Sequence, residues 1–383
     1  MSPEAALGAR RRRGPGTRGG HLALVPDRPL RVVDVALFGG PRGGALRTYL
    51  DAKAQHAATT GAMEHHVIVA GAGRERHAGG RHALASSGVG RRGGLRLPVA
   101  RGAVERTLGA LRPDVVLLHD PFWWPLDLVA CARDLGARTV AVRHATSALE
   151  AAALPGPWRA YLPVVRGWQR RAARQADAVM ANVDTMADCG RRATMPLRLG
   201  VGEAFRPRSD VARGDHVLYV GRLSREKGVP ELLEAAARSA DPWPLRLVGS
   251  GPLEGTLRAR AERLGLATRI SFRPHPRDPE RLARLYAAAR CVVMPGEHET
   301  FGLAALEGAA CGAPVAACST APARHLVGHL GHGFVPGDPA DLDRAIADAR
   351  SARPDPAAAA ALSWRHRWDR IFAAELESLR DLI

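Results

Sequence analysis

The sequence predicts an α/β protein built from two doubly wound parallel-sheet domains that face each other across a cleft. Three observations predict it. Short Val/Leu/Ala-rich runs recur along the whole chain with helical stretches between them, the alternation that builds parallel sheets covered on both faces. The length of 383 residues suits two such units of under about 200 residues each. Between them, Leu199–Asp215 (LGVGEAFRPRSDVARGD) is rich in Gly, Pro and charge and has no period, as befits a hinge linker.

In the first half, strands are expected at Leu30–Phe38, His66–Ala70, Asp114–His119, Thr139–Arg143 and Ala178–Ala181. In the second half they are expected at His216–Val220, Leu245–Val248, Ile270–Phe272, Cys291–Met294 and Pro314–Ala317. The organisation that follows is a disordered basic arm over 1–29, one domain over 30–200, a second over 201–363 and a C-terminal helix over 364–383. The opening MSPEAALGARRRRGPGTRGG has the charges of an export signal but no apolar stretch after them; it reads as a disordered arm or an over-extended start. No run approaches the roughly 18 apolar residues of a membrane-spanning helix. Five scattered cysteines (131, 189, 291, 311, 318) without a CxxC pair read as free thiols in a reducing compartment, not as a zinc site.

The net charge of +17 is unevenly spread. Residues 1–200 hold 30 Lys and Arg against 15 Asp and Glu, whereas residues 201–383 hold 25 against 23. A basic first half suits nucleic acid, an anionic membrane or a phosphorylated acceptor, although Arg-rich composition alone accounts for part of the excess.

Three segments of the second half carry chemistry. In Val217–Gly228 (VLYVGRLSREKG) a buried strand ends in a Gly turn followed by Arg222 and Lys227. Two cations at a strand end are placed to grip a diphosphate, one as a fork and one as a point charge; in isolation the pair reads first as a solvated basic turn. Leu247–Gly255 (LVGSGPLEG) superficially suggests a dinucleotide loop. Its third Gly comes one residue late and no ribose-binding acid follows at the usual distance, so it reads as a strand-to-helix turn with Pro252 in the first turn of the helix. In Pro295–Val315 (PGEHETFGLAALEGAACGAPV) a helix is expected over Leu303–Cys311, opened by Gly302 and closed by Gly312 and Pro314. Free amides at Phe301, Gly302 and Leu303 would face a phosphate or sugar oxygen. Glu299 and Glu307, eight residues apart, are spaced so that one reaches a sugar and the other a ribose diol; as bare carboxylates they read as helix trimming.

The pair Glu299/Glu307 in HETFGLAALEGAACGAPV, with GRLSREKG upstream, resembles the family 4 glycosyltransferases of the GT-B fold over about residues 30–375. The resemblance implies retaining transfer from a nucleoside diphosphate sugar. It assigns the diphosphate to Arg222 and Lys227, the ribose hydroxyls to Glu307 and the sugar hydroxyls to Glu299. The amides of Phe301, Gly302 and Leu303 would contact sugar and phosphate.

In the first half a Gly-rich loop (GGPRGG) leads from a strand into a helix. Its amides around Gly43 and Gly44 could touch the diphosphate from across the cleft, though a plain turn would look the same; the family places a GG loop here that meets the donor on closure. His119 ends the strand DVVLLHD, and related lipid mannosyltransferases have a His there near the transferring sugar. His144, closing TVAVRH, is an acceptor-side candidate, as are Trp123 and Trp124, which stack on a sugar, enter a membrane interface or pack under their loop. The stretch Trp158–Ala176 sets Trp158, Tyr161, Leu162, Val165, Trp168 and Ala172 on one helical face with arginines mostly elsewhere, a pattern of core packing or of a basic interfacial helix.

Leaving-group charge would be stabilised by Arg222, Lys227 and helix amides, in a cleft dried by domain closure. No nucleophile announces itself, so retention is expected by front-face attack. No DxD follows a strand, Asp341 and Asp343 falling in an expected helix, so no metal and no tightly bound cofactor is expected. GPRGGALRTYLDAK and HETFGLAALE look most like actinobacterial GDP-mannose-dependent phosphatidylinositol mannoside mannosyltransferases. That resemblance implies a GDP-mannose donor, a glycolipid acceptor, peripheral contact with an anionic membrane, no nucleic-acid partner and a cytoplasmic site at the inner face of the plasma membrane. The alternatives are a UDP-sugar-dependent transferase and a nucleotide-sugar epimerase of the same fold.

Overall fold

The computed structural model describes residues 28–37, 44–72, 75–88, 96–98, 101–119, 125–147, 158–182, 194–297, 299 and 301–383. In the first half, β1 (Leu30–Ala36), β2 (Met63–Ala72), β3 (Arg76–Ala78), β4 (Arg81–Gly88), β5 (Arg96–Pro98), β6 (Val115–Leu118), β7 (Arg138–Arg143), β8 (Ala178–Ala181) and β9 (Thr194–Pro196) form one sheet. Its order is β3-β4-β2-β1-β6-β7-β8-β9, with β5 on β4; pairing is parallel except where β4 meets β3 and β5. In the second half, β10 (Val217–Val220), β11 (Leu245–Val248), β12 (Ile270–Arg273), β13 (Cys291–Met294), β14 (Val315–Cys318) and β15 (Gly331–Phe334) form an all-parallel sheet ordered β12-β11-β10-β13-β14-β15. The strands β3, β4, β5, β9 and β15 add to those read from the sequence.

Strand β1 shows how the apolar runs create two cores. Its side chains alternate between faces. Val33 and Val35 pack with Ile68, Leu108, Val116 and Leu128, and Val32 and Ala36 pack with Tyr49 and Leu50 of the helix Gly44–Thr60. Asp34 falls between Val32 and Ala36 on this second face and is fully buried. A carboxylate in such a place requires partners, and they define part of the site.

In each sheet the strand order reverses at the first strand, β1 lying between β2 and β6, and β10 between β11 and β13. The loops leaving the carboxyl ends diverge there and open a crevice, where ligands bind in sheets of this kind.

The chain closes back on its first half. The end is two helices, Pro356–Arg365 and Trp368–Arg380, where the sequence suggested one from Trp364 to Leu379. They separate because Arg367 is extended (φ −63°, ψ 138°) and bridges Val201 of the linker, whose N–H donates to the His366 carbonyl at 2.7 Å. The last helix lies on Gly44–Thr60, with Phe372 against Tyr49 at 5.5 Å between ring centroids. Burial of Ile371, Phe372, Leu376 and Leu379 holds it there, each contributing about 1.5–3 kcal/mol.

The helix Trp158–Gln175 runs through Pro163. Its buried stripe is Val165, Gln169, Ala172 and Ala173, while Val164 and Trp168 are 67% and 44% exposed. Trp168 therefore leaves the expected apolar face. Ala173 and Ala176 pack on Ala141 and Val179, and the sheet takes small side chains at that contact. Among the described residues no helix is long and apolar enough to cross a membrane.

Candidate active site

After β10 the chain turns at Gly221 into the exposed Arg222 and a short 3₁₀ turn, Arg225–Lys227. The Tyr219 hydroxyl donates to the Arg222 carbonyl at 2.7 Å, fixing the loop from below. Gly228 follows with φ +66°, and a Cβ there would stand 2.6 Å from the Pro295 carbonyl carbon. Two loops from different strands thus touch backbone to backbone, which brings Lys227 Nζ to 2.7 Å from Glu299 Oε2. Gly228→Ala is expected to destabilise the protein by about 2–4 kcal/mol, combining left-handed strain with overpacking against a main chain. A thermal or urea unfolding midpoint checks this.

The helix Leu303–Ala310 starts directly after Gly302, whose φ of +75° no side chain tolerates well. Gly302, as the N-cap, offers no side-chain acceptor to this end. The first-turn amides therefore lack intrahelical partners and face the crevice with the positive end of the helix dipole. Glu307, half-buried, accepts from the Tyr286 hydroxyl at 2.9 Å. Burial pushes its carboxyl up to about 7, against the downward pull of that hydrogen bond. A ribose diol donates two hydrogen bonds, and an ionised carboxylate accepts both. A ligand whose hydroxyls donate to Glu307 is therefore expected to bind more tightly as pH rises through about 7, and Glu307→Gln to remove that dependence in calorimetric titrations with a nucleoside, whose base and sugar do not titrate there. The same raised value means that Glu307 withdraws stability from the free protein as pH rises from the ordinary carboxylate range through about 7.

On the opposite side, His119 follows β6 and His144 follows β7. His119 is buried with both ring nitrogens engaged. Its Nε2 lies 2.6 Å from Asp34 Oδ1 and its Nδ1 2.7 Å from His144 Nε2. Asp34 Oδ2 also meets Lys53 Nζ at 2.9 Å and His65 Nε2 at 2.6 Å, and Lys53 continues to Glu375 Oε1 at 2.7 Å. The Tyr49 hydroxyl donates to Glu375 Oε2 at 2.5 Å. Burial works to raise the Asp34 pKa, but Lys53 and the two imidazoles outweigh it and hold the carboxyl well below its usual range. Among the described residues no group of His, Cys, Asp and Glu is placed to hold a metal ion; the cation that meets Asp34 is the Lys53 ammonium.

The halves meet at His144, whose ring stands edge-on to Phe301 at 5.3 Å. Lys227, Glu299, Phe301, Gly302, Leu303 and Glu307 thus share one wall, with Arg222 exposed on the same loop, and His119 and His144 belong to the other. Gly44 opens its helix with φ +51°; Gly43, Trp123 and Trp124 lie outside the described residues. Asp341 and Asp343 sit in the helix Pro339–Ser351, paired with Arg344 and the Trp243 indole. Asp34, Tyr49, Lys53, His65 and Glu375 were not read from the sequence. The available signal was a lone acid inside the apolar run Val32–Ala36.

A family model described as Glycosyl transferases group 1 matches residues 204–361, and one described as Glycosyltransferase Family 4 matches residues 44–197. The GDP-mannose-dependent alpha-(1-6)-phosphatidylinositol dimannoside mannosyltransferase of Mycobacterium tuberculosis is 34% identical over 78% of this chain and 82% of its own length. The D-inositol 3-phosphate glycosyltransferase of Mycolicibacterium smegmatis is 29% identical over 72% of each. Among solved structures, Anabaena HepE with UDP-glucose superposes with a TM-score of 0.68 at 20% identity, over 91% of this chain and all of its own. Sucrose-phosphate synthase of Thermosynechococcus elongatus gives 0.67 at 19% identity, over 92% and 96%. These likenesses and the two parallel sheets define a GT-B fold.

Proposed function

This chain belongs to family 4 of the glycosyltransferases, and from that premise we propose that it moves mannose from GDP-mannose, with retention, onto a phosphatidylinositol mannoside. The observation that carries this reading is the likeness to the mycobacterial mannosyltransferase at 34% identity over most of both chains. On this reading Arg222 and Lys227 hold the diphosphate, Glu307 the ribose and Glu299 the sugar hydroxyls. Gly43 and Gly44 approach the diphosphate from the other half. As the sugar–phosphate bond breaks, negative charge collects on the diphosphate, where Lys227, Arg222 and the amides at Gly302 and Leu303 oppose it. The acceptor hydroxyl attacks the face the diphosphate leaves and gives its proton to the departing phosphate oxygen, and the product keeps the α configuration.

The lipid half of the proposal draws support from charge and shape. The first half of the chain carries most of the net positive charge. On its helix Trp158–Gln175, Arg159, Arg166, Arg170, Arg171 and Arg174 are exposed beside Val164 and Trp168, which suits an anionic interface. The enzyme on this reading works at the cytoplasmic face of the plasma membrane.

The test offers the purified protein GDP-mannose or UDP-sugars, with phosphatidylinositol mannosides in anionic vesicles. Mannolipid formed from GDP-mannose is the expected result. Transfer from a UDP-sugar alone removes the mannose assignment. Conversion of the donor without any acceptor points instead to an epimerase.

A further inference from the structure

The second domain carries a polar cavity that the donor crevice does not use. It has a volume of about 420 Å³ and is lined by Arg213, Asp215, Asp241, Arg290, Arg350 and Ser351. That size falls within the range of about 300–1,000 Å³ usual for small-molecule sites. Arg213 and Asp215 precede β10 and Arg290 precedes β13, where the Arg290 N–H donates to the His216 carbonyl at 2.9 Å. The cavity therefore lies at the amino ends of these strands, and the crevice lies at their carboxyl ends. Asp241 stands in the turn before β11, and Arg350 and Ser351 end the helix Pro339–Ser351.

The charges of the lining divide into two groups. Arg350 meets Asp215 at 3.0 Å and Asp241 at 2.7 Å, so one cation there faces two carboxylates. Each carboxylate uses a single oxygen in that contact and is mostly exposed, which leaves it able to accept from a hydroxyl. Arg213 and Arg290 are the other group. Arg213 donates to the Gly312 carbonyl at 2.6 Å, and neither arginine forms an ion pair among the described residues. Burial and the nearby Arg290 charge hold the Arg213 guanidinium below its ordinary value. Two neighbouring guanidinium groups without an acid repel each other, and an anion between them relieves that repulsion. Their planar forks match the oxygens of a phosphate.

We propose that this cavity binds a small phosphorylated sugar or polyol, its phosphate on Arg213 and Arg290 and its hydroxyls on Asp215 and Asp241. The lining offers a bilayer no large apolar side chain, and its exposed carboxylates repel an anionic surface, so the ligand is a soluble molecule and not a lipid headgroup. Because cavity and crevice lie at opposite ends of the strands, this ligand and a nucleotide bind at once. Arg213 joins the two places. The Gly312 carbonyl that it holds belongs to the turn closing the helix Leu303–Ala310, whose first amides face the crevice. The cavity is independent of the glycosyl-transfer reading.

Calorimetric titration of the full chain with mannose 6-phosphate and with inorganic phosphate tests the site, GDP being present in excess to fill the crevice. Mannose 6-phosphate is expected to bind, and more tightly than inorganic phosphate. Arg290→Ala removes a side chain with no ion pair to lose, so its unfolding midpoint is expected to stay at the wild-type value. Both phosphate ligands should nonetheless bind it about 10- to 100-fold more weakly, the worth of a hydrogen bond to a charged group. Arg213→Lys keeps the charge and loses the fork, and a loss of about 3- to 10-fold is expected. In Asp241→Ala the preference for mannose 6-phosphate over inorganic phosphate is expected to fall about 5- to 10-fold, as one hydroxyl contact disappears. No binding of mannose 6-phosphate by the wild-type protein in GDP, or binding that Arg290→Ala leaves unchanged, overturns the proposal. An unchanged preference in Asp241→Ala overturns its sugar half. Failure of GDP itself to bind counts against the glycosyl-transfer reading alone, and the Arg290→Ala comparison then decides the cavity without it.

Discussion

Lys53→Ala is expected to destabilise the protein by about 3–5 kcal/mol, the range seen when one partner of a buried ion pair is removed. The Lys53 side chain is fully buried, as is that of Asp34, and Glu375 is nearly so. Burial works to lower the Lys53 pKa, but the two carboxylates outweigh it and hold the ammonium above its ordinary value. Without it, Asp34 and Glu375 face each other in a site closed to water. Lys53→Met keeps most of the volume and is expected to keep most of the deficit, because lost charge and not a cavity causes it. The pH dependence separates the two causes. In the wild-type protein the lowered Asp34 pKa gives stability that is present above the usual carboxylate range and lost on acidification through the folded value. In the variant the Asp34 pKa rises instead, so its deficit is largest at neutral pH and shrinks as pH falls. Urea unfolding at neutral pH and again below the usual carboxylate range of about 4 reads both effects. A loss under about 1 kcal/mol, the scale of an ordinary substitution, would show that Lys53 is not what neutralises the pair. Hydrogen exchange should also rise in Trp368–Arg380, because Glu375 tethers that helix to the first half.

The same network marks where the sequence stops being legible. Strands such as Val217–Val220 and Cys291–Met294 are buried at every position, so composition alone reveals them. Arg76–Ala78, Arg81–Gly88 and Arg96–Pro98 carry Arg, His and Ser at a sheet edge and offer no apolar run to read. Asp34 passes for a stray polar residue because its meaning depends on Lys53, 19 positions on, and on Glu375 near the other end of the chain. Pairing over such separations leaves no local pattern. Glu299 and Glu307 are visible because their spacing is local and tied to a helix start. That Glu299 would meet Lys227 depends on β10 lying beside β13, a matter of topology. The helix Trp158–Gln175 misleads for a different reason. A reading by hydrophobicity gives Trp168 more weight than Ala173, whereas the sheet beneath accepts alanine and turns the indole outward.

Lys227→Ala is expected to lower kcat/KM for the sugar donor by about 10²–10³-fold, the effect of removing one group that stabilises developing charge. On the proposed assignment of Glu299 to the sugar hydroxyls, Glu299→Ala is expected to lower it comparably. The informative result is their combination. At 2.7 Å the ammonium and carboxylate neutralise each other before the donor arrives, each holding the other at the crevice between β10 and β13. Either single change therefore removes one substrate contact and also releases the surviving partner. The double variant has no partner left to release, so its loss should fall short of the product of the two single losses by about a factor of 3–30, equivalent to about 0.6–2 kcal/mol of coupling. On the proposed reading Arg222→Ala is expected to add to Lys227→Ala nearly independently, because Arg222 is exposed on the loop and lies outside the Lys227–Glu299 pair. Steady-state kinetics for all five variants, with acceptor-free hydrolysis as a second readout, test the scheme. Strict multiplicativity of the Lys227 and Glu299 losses would mean that the ion pair is incidental and that each residue meets the donor on its own.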